Sequence, residues 1–123
     1  MPPQLAVVAL WAENVPETAK FYRDAIGLEM IHEHTAERVH FRLGEHRSLV
    51  LLKGKPHPAT DTVIERFPVV AFHVDDLEKA VERLNANGIE TLEDIKEDSW
   101  SRWVMLHDPA GNLIELAVFT RSL

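Results

Sequence analysis

The sequence predicts an α+β domain in which one βαβββ unit is written twice, each copy laying a helix against one side of an antiparallel-type sheet. Two stretches carry most of that prediction: "VVALWAENVPETAKFYRDAIGLE", which begins at Val7, and "VVAFHVDDLEKAVERLNANGIE", which begins at Val69. They repeat at an offset of 69 − 7 = 62 residues, in the shared order strand, acidic turn, helix, glycine, strand. The remaining chain reads as short apolar runs of strand length divided by turn residues.

The first strand spans 5–12. Asn14 and Glu17 then form a capping-box pair, with Pro16 in the first turn, where its missing N–H costs little. Val15, Ala19, Tyr22 and Ile26 follow at helical spacing, and Gly27 supplies a left-handed stop. Strands are expected at 28–34, 37–43 and 47–53. "GKPHPATDTVIERF", 54–67, reads as a linker with a short helical turn near its end. In the second copy a strand at 68–74 leads to a capping box of Asp75 and Glu78. The apolar stripe is Leu77, Ala80, Val81 and Leu84, and Gly88 is the stop. Strands at 89–95, 100–107 and 112–119 complete the unit. "HDPAGN" joins the last two strands tightly, since Pro109 fixes φ and Gly111 is free to take φ above zero. Module one is thus 5–53 and module two 68–119, within a single domain over 1–123.

Composition excludes several function classes. Thirteen Lys and Arg against twenty Asp and Glu give a formal charge of −7. A polyanion is repelled on average, and no basic patch with interleaved aromatics occurs, so nucleic acid is not an expected partner. No apolar run approaches the roughly 20 residues that cross a bilayer, and Met-Pro-Pro-Gln does not read as a signal peptide. Without cysteine, disulfides, thiol chemistry and cysteine zinc sites are absent, and a reduced cytoplasmic setting is the expectation. No Ser/His/Asp triad, phosphate-binding loop or dinucleotide fingerprint occurs.

"HDPAGNLIEL" places a carboxylate, Glu115, among apolar residues of a strand. An unpaired buried carboxylate is costly, so it needs a metal, a cation, a hydrogen-bonding cleft or a route to water. Alternation puts His73 on the face of Val69 and Ala71, and the repeat makes Trp11 its counterpart. In "SWSRWVMLHD", Trp103 and Met105 share one face with Ser101 and His107, while Trp100, Arg102 and Val104 take the other. Arg102 is expected to pair with an acidic loop residue. Among the other histidines, His32 and His34 share a polar strand face near a turn, His46 and His57 fall in loops, and His107 is assigned to ordering the turn beside Asp108.

These residues carry a resemblance. "NVPETAKFYRDAIGLEM" is similar to the first helix of the vicinal oxygen chelate (glyoxalase, bleomycin resistance and extradiol dioxygenase) superfamily, and "HDPAGNLIEL" resembles its Asp-Pro-x-Gly-Asn-x-Ile-Glu-Leu end strand. With the doubled architecture, the resemblance covers nearly the whole chain. It implies two modules whose sheets curl into a cup, with helices on the outer face, and a homodimer. Active members hold a divalent metal through His or Glu early in the first strand, late in the first module, at the opening of the second module and in the last strand. Glu115 matches the last position. The others fall on Val7, about Leu51, and Val69, none of which can ligate a metal.

The cup so implied is apolar at three metal positions. The family's cup-facing positions before the end turn fall on Trp103 and Met105, and Trp11 adds to the aromatic wall. His73 and Glu115 are the candidate polar anchors. This suits a metal-free protein that sequesters an aromatic or cationic organic ligand. The alternative is a lyase, isomerase or dioxygenase in which His73 and Glu115 act as base and acid. It would work either without a cofactor or with a divalent metal relocated onto His73, Glu115 and His40. A third reading is a catalytically inert dimerisation or regulatory module.

Overall fold

A computed structural model describes residues 4–31, 35–56 and 69–119. The chain divides into two compact units, Met1–His57 and Pro58–Leu123, each taken by itself below.

In the first unit, β1 (Val7–Ala12) leads to α1 (Val15–Lys20), which continues directly as a π-helical segment, Phe21–Ile26. β2 (Glu29–Met30), β3 (Arg38–Gly44) and β4 (Arg47–Lys53) follow. The sheet order is β1-β4-β3-β2. Asn14 caps the helix as its sequence predicts: its side chain accepts from the Glu17 N–H at 3.1 Å. The wide π turn, which helical spacing does not announce, buries both Phe21 and Tyr22. Tyr22 packs edge-on to Phe21, with ring centroids 4.9 Å apart, and tilted against Phe41 at 5.9 Å. Gly27, at φ 91°, ends the segment, and the N–H groups of Gly27 and Leu28 both donate to the Tyr22 carbonyl. Val15, Ala19, Tyr22, Val39, Phe41, Leu49 and Leu51 form this unit's core.

The second unit repeats the plan. β5 (Val70–His73), α2 (Leu77–Ala86), β6 (Lys96–Glu97), β7 (Ser101–His107) and β8 (Leu113–Phe119) give the order β5-β8-β7-β6. Leu77 and Leu84 of α2 are buried, as are Val104, Leu106, Ile114 and Leu116 of the sheet.

The pairing within each sheet fills out the expected α+β plan, and several element bounds differ from it. The sheets are mixed: β2, β3 and β4 are antiparallel, as are β6, β7 and β8, but β1 joins β4 in parallel and β5 joins β8 in parallel. In each unit the chain passes through its helix before returning to pair with its first strand. The cap of α2 is Asp76, one residue beyond Asp75. Asp76 has the extended backbone, and its carboxylate accepts from the Lys79 N–H at 3.0 Å. The strand expected at 89–95 does not form, and the pairing shifts to β6. Thr91 Oγ1 donates to the Glu93 carbonyl at 3.0 Å, a local turn that competes with the ladder. Leu92 N–H still reaches the Met105 carbonyl at 2.8 Å. Of the strand expected at 28–34, β2 covers Glu29–Met30. His32, His34, His57 and most of the 54–67 linker lie outside the described residues. No helix among the described residues is long and apolar enough to cross a membrane.

Candidate ligand-binding face

Glu115 stands at the centre of β8. Residues directly paired across a sheet point to the same side, so the register fixes its neighbours: Ala71 of β5 on one flank and Met105 of β7 on the other. One step along, His73 and Trp103 flank Ala117, and Lys96 of β6 lies beyond Trp103. These residues occupy the face turned away from α2, whose own side is filled by Val104, Leu106, Ile114 and Leu116. His73, Trp103, Met105 and Glu115 are therefore brought onto one face. Trp11 belongs to the first unit.

Glu115 is half-buried. Among the described residues no hydrogen bond or ion pair reaches its carboxylate. Burial holds its carboxyl above the usual carboxylate range, with no cation to oppose the shift. His73 is more open, with its side chain 55% exposed. Its ring stacks on Phe119 at a centroid separation of 6.1 Å and an interplanar angle of 17°, and its Nε2 lies 3.9 Å from Asp75 Oδ1. A one-strand, two-residue diagonal separates the His73 and Glu115 backbones by about 8 Å. That spacing admits a small ligand between the two side chains. Alternation from Glu115 through Ala117 already places Phe119 on this face, a signal that the sequence reading passed over.

The turn behind the site is ordered by Asp108, which is buried. Its Oδ1 accepts from the N–H groups of Ala110 and Asn112, each at 2.9 Å, and its Oδ2 accepts from Asn112 Nδ2 at 2.9 Å. His107 lies in β7 opposite Leu113, on the Glu115 side of the sheet and next to Asp108. Arg102, on the other face, pairs with Glu78 of α2 and with Glu97 of β6. Its partners are a helix residue and a strand residue, so the expected acidic loop partner is replaced.

In the first unit, Val7, Ala9 and Trp11 of β1 line the corresponding face, with Val7 52% and Trp11 49% exposed. Trp11 lies over Gly54: a Cβ there would come within 2.6 Å of Trp11 Cε3. Leu51 does not belong to this face. It is fully buried on the α1 side, and the register puts Val50 between Ala9 and His40 instead. On this face β4 presents Val50 and Leu52, neither of which can ligate a metal.

The donor set can be weighed against the metal that the resemblance implies. Val7 and Val69 offer no donor atom, neither Val50 nor Leu52 offers one on β4, and Glu115 is the single ligand of the four. Among the described residues, no group of three or more His, Asp or Glu side chains gathers as a metal site. His40 is engaged by Arg38, whose Nε donates to His40 Nε2 at 2.8 Å. These residues do not fit the family's metal.

The family model described as the Glyoxalase/Bleomycin resistance protein/Dioxygenase superfamily matches residues 4–116. Curated proteins give no significant match. Among solved structures, the chain is similar to a lactoylglutathione lyase from Agrobacterium tumefaciens, with 26% identity, a TM-score of 0.71, and coverage of 95% of this chain and 94% of that one. It is similar to a glyoxalase family protein from Enterococcus faecalis at 28% identity and TM-score 0.71, covering 93% and 96% respectively. A glyoxalase/dioxygenase from Nostoc punctiforme shares the fold at TM-score 0.79 and 20% identity, over 96% and 92% of the two chains.

Proposed function

This chain belongs to the Glyoxalase/Bleomycin resistance protein/Dioxygenase superfamily, and we propose that it works there as a metal-free protein sequestering an aromatic or cationic organic ligand. One observation carries the reading: Glu115, half-buried and without an ionic or hydrogen-bonding partner among the described residues, shares a sheet face with Met105, Trp103 and His73. A carboxylate so placed is stabilised by a cation that brings its own apolar body, and the neighbouring ring and thioether surfaces favour such a body through stacking and cation–π contact. The protein acts as a homodimer, which sedimentation tests.

N-methylquinolinium is a suitable probe, followed by tryptophan fluorescence and calorimetry. One site per chain is expected, weakened about ten-fold or more by Glu115→Gln. Affinity should also fall as the pH drops through the Glu115 titration, because protonation removes the charge that the cation meets. Unchanged affinity in Glu115→Gln would remove the proposal.

The alternative, a lyase, isomerase or dioxygenase, draws on His73 and Glu115 sharing that face and on the similarity to a chain described as a lactoylglutathione lyase. It requires turnover of lactoylglutathione, or of a related small molecule, that is lost in His73→Ala while the fold is retained.

A further inference from the structure

The first unit carries a different constellation on the face of its sheet turned away from α1. Trp11, Leu52 and Arg38 form one row across β1, β4 and β3, and Ala9, Val50 and His40 form the next. Arg38 Nε donates to His40 Nε2 at 2.8 Å. The bond orients the guanidinium while bringing no negative charge to it. Other arginines are matched with acids: Arg42 with Glu29 at 3.3 Å, Arg23 with Asp24 at 2.8 Å, and Arg102 with Glu78 and Glu97. Arg38 has no acidic partner among the described residues, although the chain carries a net charge of −7.

A guanidinium held through Nε keeps its two Nη groups side by side, the geometry that grips a carboxylate with two parallel hydrogen bonds. Two strand spacings separate the Arg38 and Trp11 backbones by about 10 Å, enough for one aromatic ring lying over Leu52. Trp11 is laid against Gly54, where a side chain would collide with its ring, so its exposed indole has a defined seat. Ala9 and Val50 keep the neighbouring floor small and apolar.

We propose that this face is a binding site for an aromatic carboxylate, with Arg38, oriented by His40, taking the carboxylate and Trp11 packing on the ring. The site lies in the other unit from Glu115, and its ligand carries the opposite charge to the one proposed there, so the two readings fail separately.

Calorimetric titration with 2-naphthoate, beside its neutral isostere 2-naphthamide, tests it. The expected result is one naphthoate per chain, with the amide and the Arg38→Gln variant each weaker by about ten-fold or more and Glu115→Gln unchanged. In the unaltered chain, the NMR resonances of Arg38 Nε–H and Trp11 Nε1–H should both shift during the titration. That readout does not depend on how a variant folds. Absence of saturable binding, equal affinity for acid and amide, or unmoved Arg38 and Trp11 resonances overturns the proposal. So does a loss in Glu115→Gln that Arg38→Gln does not share.

Discussion

A carboxylate with no counter-charge among the described residues leaves its mark on stability as well as on binding. Burial raises the Glu115 carboxyl above its usual range, so the folded chain holds that proton more tightly than the unfolded one. The resulting stabilisation is fully present below the unfolded-state value and is lost as the pH rises through the folded-state value. At neutral pH the ionised side chain therefore costs stability. Glu115→Gln is expected to raise the Tm at pH 7, with the advantage shrinking as the pH falls through the raised folded-state value and gone by about pH 4, where the wild-type carboxyl is protonated in both states. Thermal melts of both chains across that range check the sign. Asp108 is the opposite case, a buried acid surrounded by donors. Asp108→Ala strands two main-chain N–H groups and the Asn112 amide, and should destabilise by about 2–3 kcal/mol in urea unfolding.

Element boundaries depend on which residue adopts the non-helical backbone, a choice that adjacent aspartates leave open in the sequence. Asp75 and Asp76 are equally good caps by residue type, and the extended φ and ψ of Asp76 settle the matter. Asp76→Ala should therefore cost about 1 kcal/mol, whereas Asp75→Ala should stay within about 0.5 kcal/mol; paired denaturation curves distinguish them. The first helix was legible up to its cap and its glycine, but the π turn between them was not. The turn changes which side chains face the sheet without changing residue type, and it takes the packing of Tyr22 between Phe21 and Phe41 to favour it. At the end of β4, Gly54→Ala would bring a methyl group into the Trp11 ring. The Trp11 indole resonance should move while the melting curve stays cooperative, and naphthoate affinity should fall with it.

At the scale of the molecule, the two units carry two polar constellations of opposite sign, one around Glu115 and one around Arg38. Neither assembles the donors that a catalytic ion requires. Mass spectrometry of the purified native protein should find less than one divalent ion per chain, and added Ni, Mn, Fe, Zn or Co should show no tight calorimetric binding. One ion per chain, lost in Glu115→Ala, would restore a metal-dependent reading of the second unit. The doubled βαβββ plan was legible because a 62-residue repeat with matching caps and glycine stops needs no long-range knowledge. The 89–95 strand was misplaced because apolar content alone cannot weigh a local Thr91–Glu93 turn against a ladder.

The sequence by itself determined the α+β class, the two copies, the turn at "HDPAGN" and the family. Each rests on local spacing and residue chemistry that survive without a partner strand. It also placed His73, Trp103, Met105 and Glu115 in strands with the right alternation. Register was decided by the tertiary structure alone. A shift of one residue reverses every side chain in a strand, which is why Leu51 lies in the core on the α1 side while Val50, also buried, belongs to the opposite face of the sheet. The same pairing across β1, β4 and β3 set Arg38 beside His40 and across from Trp11. No spacing along the chain encodes that meeting, because strands distant in sequence meet only where main-chain hydrogen bonds and a shared core fix them together.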